Sequence, residues 1–416
     1  MDIIKVTLFL FCGISSYLCA ENSKLGNKLF KVEIDQVFNG NLLIEPTIPE
    51  SGYLKVGSKL KLSAVPDADY SLDSIYYSFK TKKRNWITNI EEMSSPFEFE
   101  VTRDISIGAS FIKNSQLKGF EVIHNVEYAK PGVKTLKYDV YKPEDAKDLP
   151  CIIIIHGGGW SHNSEDVMRG LARELVRSGE YVVCSVDYRW KNKADGDEEP
   201  NSIVDLIEDV YGAIAHIQEH AKDYGADATQ LAVTGDSAGG HLSASVANMA
   251  NTIGIRGFEK IPGVYEYKPT YLPKHKSIEQ VRHDIMTSIK AAAPSYGVYG
   301  GKMIESHARG QSAEWAKAIA PIHTVPDVSK RWLPQFILRG TKDRLIKHEA
   351  VIDYVEVLKK KGQFVTYIEV EMAHHSFLDW KPDPKTKSNF YKYAVVNIAK
   401  MKHFFDGVFY QKRHLK

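Results

Sequence analysis

Gly235-Asp236-Ser237-Ala238-Gly239 sets a serine between two glycines, after the apolar run Leu231 to Thr234 and before a helix-forming stretch. This is the residue pattern of a nucleophile elbow. The reason is steric. A sharp strand-to-helix turn strains the serine backbone and leaves no room for side chains two residues away on either side. Gly235 and Gly239 fill those places. Ser237 would then stand above a sheet at a helix N-terminus, where the dipole favours developing negative charge. The competing reading is a chance Gly/Ser-rich turn.

A second element raises the first above chance. His156-Gly157-Gly158-Gly159-Trp160 follows the apolar run Cys151 to Ile155, one strand-helix-strand unit ahead of the elbow. Three consecutive glycines let a backbone bend toward a ligand and aim N–H groups at it. A tetrahedral oxyanion needs such donors already in place. The amides of Gly158, Gly159 and Ala238 are the candidates, and Trp160 is the candidate for contact with substrate. A merely flexible turn is the alternative. His156 reads as a buttress of the loop rather than a proton carrier.

A serine hydroxyl needs a base, and the base needs an orienting acid. The expected chain order is Ser, Asp or Glu, then His. Gly340-Thr341-Lys342-Asp343 follows the strand-like run Gln335 to Arg339, which makes Asp343 the candidate acid, with a helix N-cap as its other reading. His374-His375-Ser376-Phe377 follows Val365 to Val370. His375 is the preferred base, and His374 stays open. Asp236 adjoins Ser237 and is expected to point away from the imidazole. Asp187 would break the chain order.

These groups need a sheet to hold them. Phe120 to Tyr128 and Thr135 to Tyr141 read as strands, and Cys151 to Ile155 and Tyr181 to Val186 as strands buried on both faces. Glu165 to Ser178 and the series Ile203, Ile207, Val210, Ile214, Ile217 carry helical spacing. Leu231 to Thr234, Ile289 to Ala293, Gln335 to Arg339 and Val365 to Val370 continue the strands, with a helix marked by Val351, Val355 and Leu358. Strands alternating with helices predict an α/β fold with a mostly parallel sheet flanked by helices. Functional groups then gather at the strands' carboxyl ends.

Ahead of this region, residues 30–112 read as a small all-β domain, joined by the polar stretch Lys113 to Lys118 to a catalytic domain at 119–416. The first part alternates in short runs such as Lys59 to Val65, Phe97 to Val101 and Ile105 to Ala109, punctuated by Gly and Pro. It resembles the β-repeat domains of bacterial surface proteins of the internalin B-repeat kind, in Gly52-Tyr53, Gly57, Leu60 to Pro66 and Ile105 to Phe111. A spacer or docking role is expected. A carbohydrate-binding role would rest on Tyr70, Tyr76, Tyr77 and Trp86, and scattered aromatics are more often core.

The 416 residues, 43% hydrophobic and 25% charged, suit two folded domains. A formal net charge of +2 argues against nucleic acid or an anionic membrane surface as partner. Residues 1–20 read as an export signal, with Lys5, an apolar run from Val6 to Ile14, and Cys19-Ala20. The expectation is a secreted or periplasmic protein with no membrane segment in the mature chain. A retained anchor or a surface lipoprotein attached at Cys19 is the alternative. Cys151 and Cys184 read as buried small hydrophobes. No metal-binding spacing is present. The basic tail from Gln411 to Lys416 reads as a solvated end.

Residues Phe120 to about Phe405 resemble the α/β-hydrolase superfamily. Within it, His156 to Trp160 with Gly235 to Gly240 is similar to the hormone-sensitive-lipase-like and bacterial feruloyl/acetyl esterase group. Asp187-Tyr188-Arg189 and Ala320-Pro321-Ile322 fit the same group. The resemblance implies hydrolysis of short-acyl or aromatic-acyl esters without a cofactor. With export and the extra β domain, it suggests a small or polysaccharide-linked ester, such as an acetyl or feruloyl group on plant polysaccharide. The rivals are a serine peptidase or arylformamidase of the same fold, and a non-catalytic binding protein. His374 departs from the group, where a small residue commonly precedes the catalytic histidine. The long insertion from Asn251 to His283 could roof the acyl pocket or be a surface excursion.

Overall fold

A computed structural model of the chain describes residues 28–80, 87–255, 267–308 and 313–410. The expected export signal, Trp86 and the basic tail lie outside the described residues. The backbone divides into two units at Gln116–Leu117.

In the first unit the alternating runs do what their period requires. Its strands are β1 (Leu29–Ile34), β2 (Gly40–Glu45), β3 (Tyr53–Lys55), β4 (Lys59–Pro66), β5 (Tyr70–Lys80), β6 (Ile87–Glu92), β7 (Phe97–Glu100) and β8 (Ile105–Lys113). They form a five-stranded sheet ordered β3-β1-β8-β5-β6 and a three-stranded sheet ordered β2-β4-β7. On β4, Leu60 and Leu62 turn into a core with Ile75, Ile105 and Ile107, while Lys59 stays exposed. Tyr70 and Tyr77 pack against that core, and the buried Tyr76 donates its hydroxyl to Asp35 at 3.0 Å. Of the three described aromatics of the sugar-binding reading, Tyr76 is thus buried, and Tyr70 and Tyr77 are partly buried against the core. The boundary between the two units falls within the stretch expected to be a linker, which holds the last residue of β8 and a short 3-10 turn, Asn114–Gln116.

The second unit is built on an eight-stranded sheet. Its strands are β9 (Phe120–Ala129), β10 (Leu136–Pro143), β11 (Leu149–Ile155), β12 (Val182–Val186), β13 (Ala226–Asp236), β14 (Ile289–Ser295), β15 (Gln335–Gly340) and β16 (Val365–Val370). The order is β16-β15-β14-β13-β11-β12-β10-β9. β9 and β10 pair antiparallel with their neighbours, and the remaining pairs are parallel. Helices α1 (Arg169–Val176), α2 (Ile203–His220), α3 (Ala238–Met249), α4 (Ile278–Ser288), α5 (His348–Lys360) and α6 (Val395–Phe409) accompany it. Ile152 to Ile155 and all of β12 are buried, as two covered faces require.

Two elements depart from expectation. The helix expected over Glu165 to Ser178 begins as a 3-10 turn capped by Ser164 and becomes α-helical only over α1. α6, outside the sequence expectations, buries Ile398, Met401, Phe404, Phe405 and Val408 at steps of three and four. Among the described residues, no helix is long and apolar enough to cross a membrane. Cys151 and Cys184 are buried free thiols on adjacent strands, 3.8 Å apart.

The described part of the 251–283 insertion lies along α2. Tyr267 is fully buried edge-on to Tyr211, the Tyr271 hydroxyl donates to Glu219, and the Thr270 hydroxyl donates to Asp209. Residues 256–266 of the insertion lie outside the described residues.

Candidate active site

Strand register brings five loops to one edge. Ile155 of β11 lies beside Gly235 of β13, Asp236 beside Ser295 of β14, and Gly340 of β15 beside Val370 of β16. The segments starting at His156, Ser237, Tyr296, Thr341 and Glu371 therefore leave from the carboxyl end of the sheet.

Ser237 is the turn residue between β13 and α3. Its φ of 51° and ψ of −113° lie in a region that non-glycine residues rarely adopt. Packing enforces this: a Cβ on Gly239 would overlap the Ile155 carbonyl oxygen. The Ser237 amide donates to the Ser295 carbonyl at 3.0 Å, and the next turn begins with His241 N–H donating to Ser237 O. The side chain stays at the surface of the site, with 7% of the residue exposed.

The triple-glycine loop sits against this elbow. Gly157 N–H donates to Asp236 Oδ1 at 2.6 Å. Asp236 is thus the strap between elbow and loop, a role its place beside the serine did not suggest. Burial and the neighbouring Asp379 charge push its carboxyl up to about 8, against the opposing pull of His375, the Gly157 amide and Lys381. Gly158 takes a φ of 121°, which suits glycine alone. Among the described residues, the amides of Gly158, Gly159 and Ala238 donate to no protein acceptor.

The three remote side chains converge. Ser237 Oγ donates to His375 Nε2 at 2.9 Å, and His375 Nδ1 donates to Asp343 Oδ2 at 2.8 Å. Asp343 Oδ1 accepts the amides of Leu345 and Ile346 at 2.8 and 2.9 Å. Burial alone would raise the Asp343 carboxyl. The His375 hydrogen bond and charge, with those two amides, outweigh it and hold the group below its usual range. Burial alone would lower the His375 pKa. The hydrogen bond and charge of Asp343, with the charges of Asp236 and Asp379, hold it above the ordinary 6.5. His374 lies exposed beside it.

Buried groups behind the loop hold it in shape. Tyr188 stacks on His156 with ring centroids 4.2 Å apart and donates its hydroxyl to the His156 carbonyl at 2.8 Å. His156 Nε2 meets Asp187 Oδ1 at 3.1 Å, and Lys134 donates to the same oxygen at 2.7 Å. Arg189 grips Asp209 of α2 through Nε and Nη2, both at 2.8 Å. His156 therefore sits as a buttress, remote from the serine's proton. Trp160, expected against substrate, is instead turned inward. It is 4% exposed, its indole N–H donates to His241 Nδ1 at 3.3 Å, and His307 packs edge-on at 4.6 Å. The reason is the neighbouring helix. Burial lowers His241 to a pKa of about 4, which leaves one nitrogen to accept the indole while the other donates to the Ile319 carbonyl.

Lys134, Asp209 and His241 went unmarked in the sequence. Asp209 had a usable signal, an acid among Leu206, Ile207 and Val210 on a buried helix face, which demands a cation partner. The other two had none. Among the described residues, no group of three His, Cys, Asp or Glu side chains is placed to hold a metal ion.

A mostly parallel sheet with a serine elbow, a glycine loop and a Ser-His-Asp chain at its carboxyl edge defines an α/β-hydrolase fold. Residues 138–358, just over half of the chain, match the BD-FAE family model, and the chain belongs to that family. Carboxylesterase NlhH of Mycobacterium tuberculosis is 36% identical over 124 residues, covering 30% of this chain and 37% of that protein. Esterase LipQ of the same organism is 28% identical over 267 residues, covering 59% and 55%. The chain thus spans from about a third to just over half of these relatives' length. Among solved structures, Thermogutta terrifontis esterase 2 phosphorylated by paraoxon superposes with a TM-score of 0.51 at 23% identity, over 70% of this chain and 95% of that one. That likeness concerns the fold.

Proposed function

We propose that this chain is a serine carboxylic ester hydrolase acting through an acyl-enzyme on Ser237. The observation that carries the reading is the unbroken hydrogen-bond chain from Ser237 Oγ through His375 to Asp343. His375 Nε2 takes the hydroxyl proton as Ser237 attacks the ester carbonyl. The oxyanion draws the amides of Gly158, Gly159 and Ala238, which have no protein acceptor among the described residues. Asp343 stabilises the imidazolium and fixes its tautomer. His375 then protonates the leaving alkoxide, and water deacylates the enzyme by the same route. The chemistry needs no cofactor.

The protonation state of His375 sets a pH dependence. The base must be neutral to accept the proton. kcat/KM therefore falls as pH drops through the raised His375 pKa, with its acid midpoint above the ordinary histidine value of 6.5. A midpoint at or below that value in a pH-rate profile would show that the surrounding carboxylates do not raise the imidazole.

We further propose an exported enzyme whose ester is an acetyl or feruloyl group on plant polysaccharide. The apolar run Val6 to Ile14 and the separate β unit support this context. The test is a substrate panel on the purified protein: p-nitrophenyl acetate, longer p-nitrophenyl esters, methyl ferulate, acetylated xylan, a dipeptidyl anilide and an N-formylarylamine. Turnover of short-acyl or feruloyl esters above both amides is expected. Turnover confined to either amide would replace ester hydrolysis by peptidase or formamidase action. No reaction with any member, nor with a fluorophosphonate, would leave a binding protein.

A further inference from the structure

We propose that Tyr296 is the positioning residue that sets the place and tilt of the His375 imidazole. The inference rests on the reading of Ser237, His375 and Asp343 given above. Tyr296 is fully buried and lies where the three segments carrying those groups meet. It directly follows Ser295, whose carbonyl accepts the Ser237 amide at 3.0 Å. Its own amide donates to the Leu338 carbonyl at 2.7 Å, on the strand that delivers Asp343. Its ring stands 5.0 Å from the His375 ring at 63°, and 5.1 Å from Phe377. Its hydroxyl oxygen accepts the Leu378 amide at 3.2 Å. One side chain therefore supports the imidazole from the side and ties down the loop that carries it.

The backbone points the same way. Tyr296 has a φ of 34°, an outlier for a bulky side chain. Such strain persists only where the surroundings over-determine it, and it clusters where geometry serves function. Here the strained residue is the one whose ring lies against both His375 and Phe377 of the histidine loop. The loop itself bends sharply, with Met372 and Ser376 at φ of 61° and 62°. An imidazole on such a segment depends on its neighbours for a fixed position. A reacting group displaced by about 1 Å can lose on the order of a hundredfold in rate.

The test compares Tyr296→Phe and Tyr296→Leu with the parent in steady-state hydrolysis of p-nitrophenyl acetate. Active sites are counted by prolonged fluorophosphonate labelling, and folding is checked by thermal melting. Tyr296→Phe keeps the ring and removes the acceptor for Leu378. It should lower kcat per active site about tenfold, with KM unchanged within about twofold. Tyr296→Leu also removes the ring beside His375 and should lose on the order of a hundredfold in kcat. A filler role would lower the melting temperature and leave kcat per active site intact. Folded variants with parental kcat, or a loss confined to KM, overturn the proposal. If the leucine variant does not fold, the phenylalanine variant alone decides. Ser237→Ala run alongside separates the two readings. A dead Ser237→Ala with an unaltered Tyr296→Phe refutes only the positioning role. An active Ser237→Ala refutes the mechanism, and this inference falls with it.

Discussion

Ser237→Ala is expected to lose on the order of 10⁶ in kcat on p-nitrophenyl acetate, by analogy with nucleophile removal in other triad hydrolases. The Ser237 hydroxyl is the group aligned with a base at 2.9 Å, so its removal leaves His375 no oxygen of the chain to activate in acyl transfer. Residual hydrolysis then comes from water acting beside the oxyanion amides. KM should change little, because one hydroxyl contributes little to ground-state binding. The fold should persist, since alanine keeps the Cβ and the Ser237 amide keeps its bond to Ser295. The measurement is the initial rate with thermal melting in parallel. A folded variant within about tenfold of the parent would refute the assignment of Ser237.

Asp343→Asn should cost about 10⁴ in kcat at neutral pH, the scale at which an imidazole held in the wrong tautomer fails in this chemistry. The geometry explains why a nearly isosteric change is so damaging. Oδ1 of Asp343 accepts two backbone amides, from Leu345 and Ile346, while Oδ2 faces His375 Nδ1. Asparagine keeps its carbonyl toward the two amides, because an NH₂ there would oppose two donors. Its NH₂ must then face the imidazole and donate to Nδ1. The ring proton moves to Nε2, where it confronts the serine hydroxyl and cannot accept from it. The effect should appear in kcat, because residue 343 is buried behind the histidine. A loss of less than tenfold would assign the orienting role to another carboxylate, with Asp379 next in line, since its charge acts on His375.

Much of this site was legible along the chain because its parts are local. An elbow must have small residues around its serine, and a loop that turns its amides toward an anion must be rich in glycine. Buried parallel strands must be unbroken apolar runs such as Cys151 to Ile155. Each is a short-range steric or solvation requirement, and it writes itself into a few adjacent residues. The α/β architecture followed from the same kind of pattern, and strand ends such as Val365–Val370 coincide with the runs that predicted them.

Other features depend on what lies across the sheet. His374 and His375 are alike in type and adjacent; the curvature of their loop turns one ring to Asp343 and leaves the other exposed. Asp236 straps the glycine loop, and Trp160 turns to His241 instead of outward, because β11 and β13 are neighbours in space and not in sequence. Tyr296 acquires its place beside His375 only once the β13, β14 and β15 edges are aligned. Composition and periodicity encode which residues are buried and where the chain can turn. Which buried side chains face one another depends on strand order and loop path, long-range packing choices that no local run of residues carries.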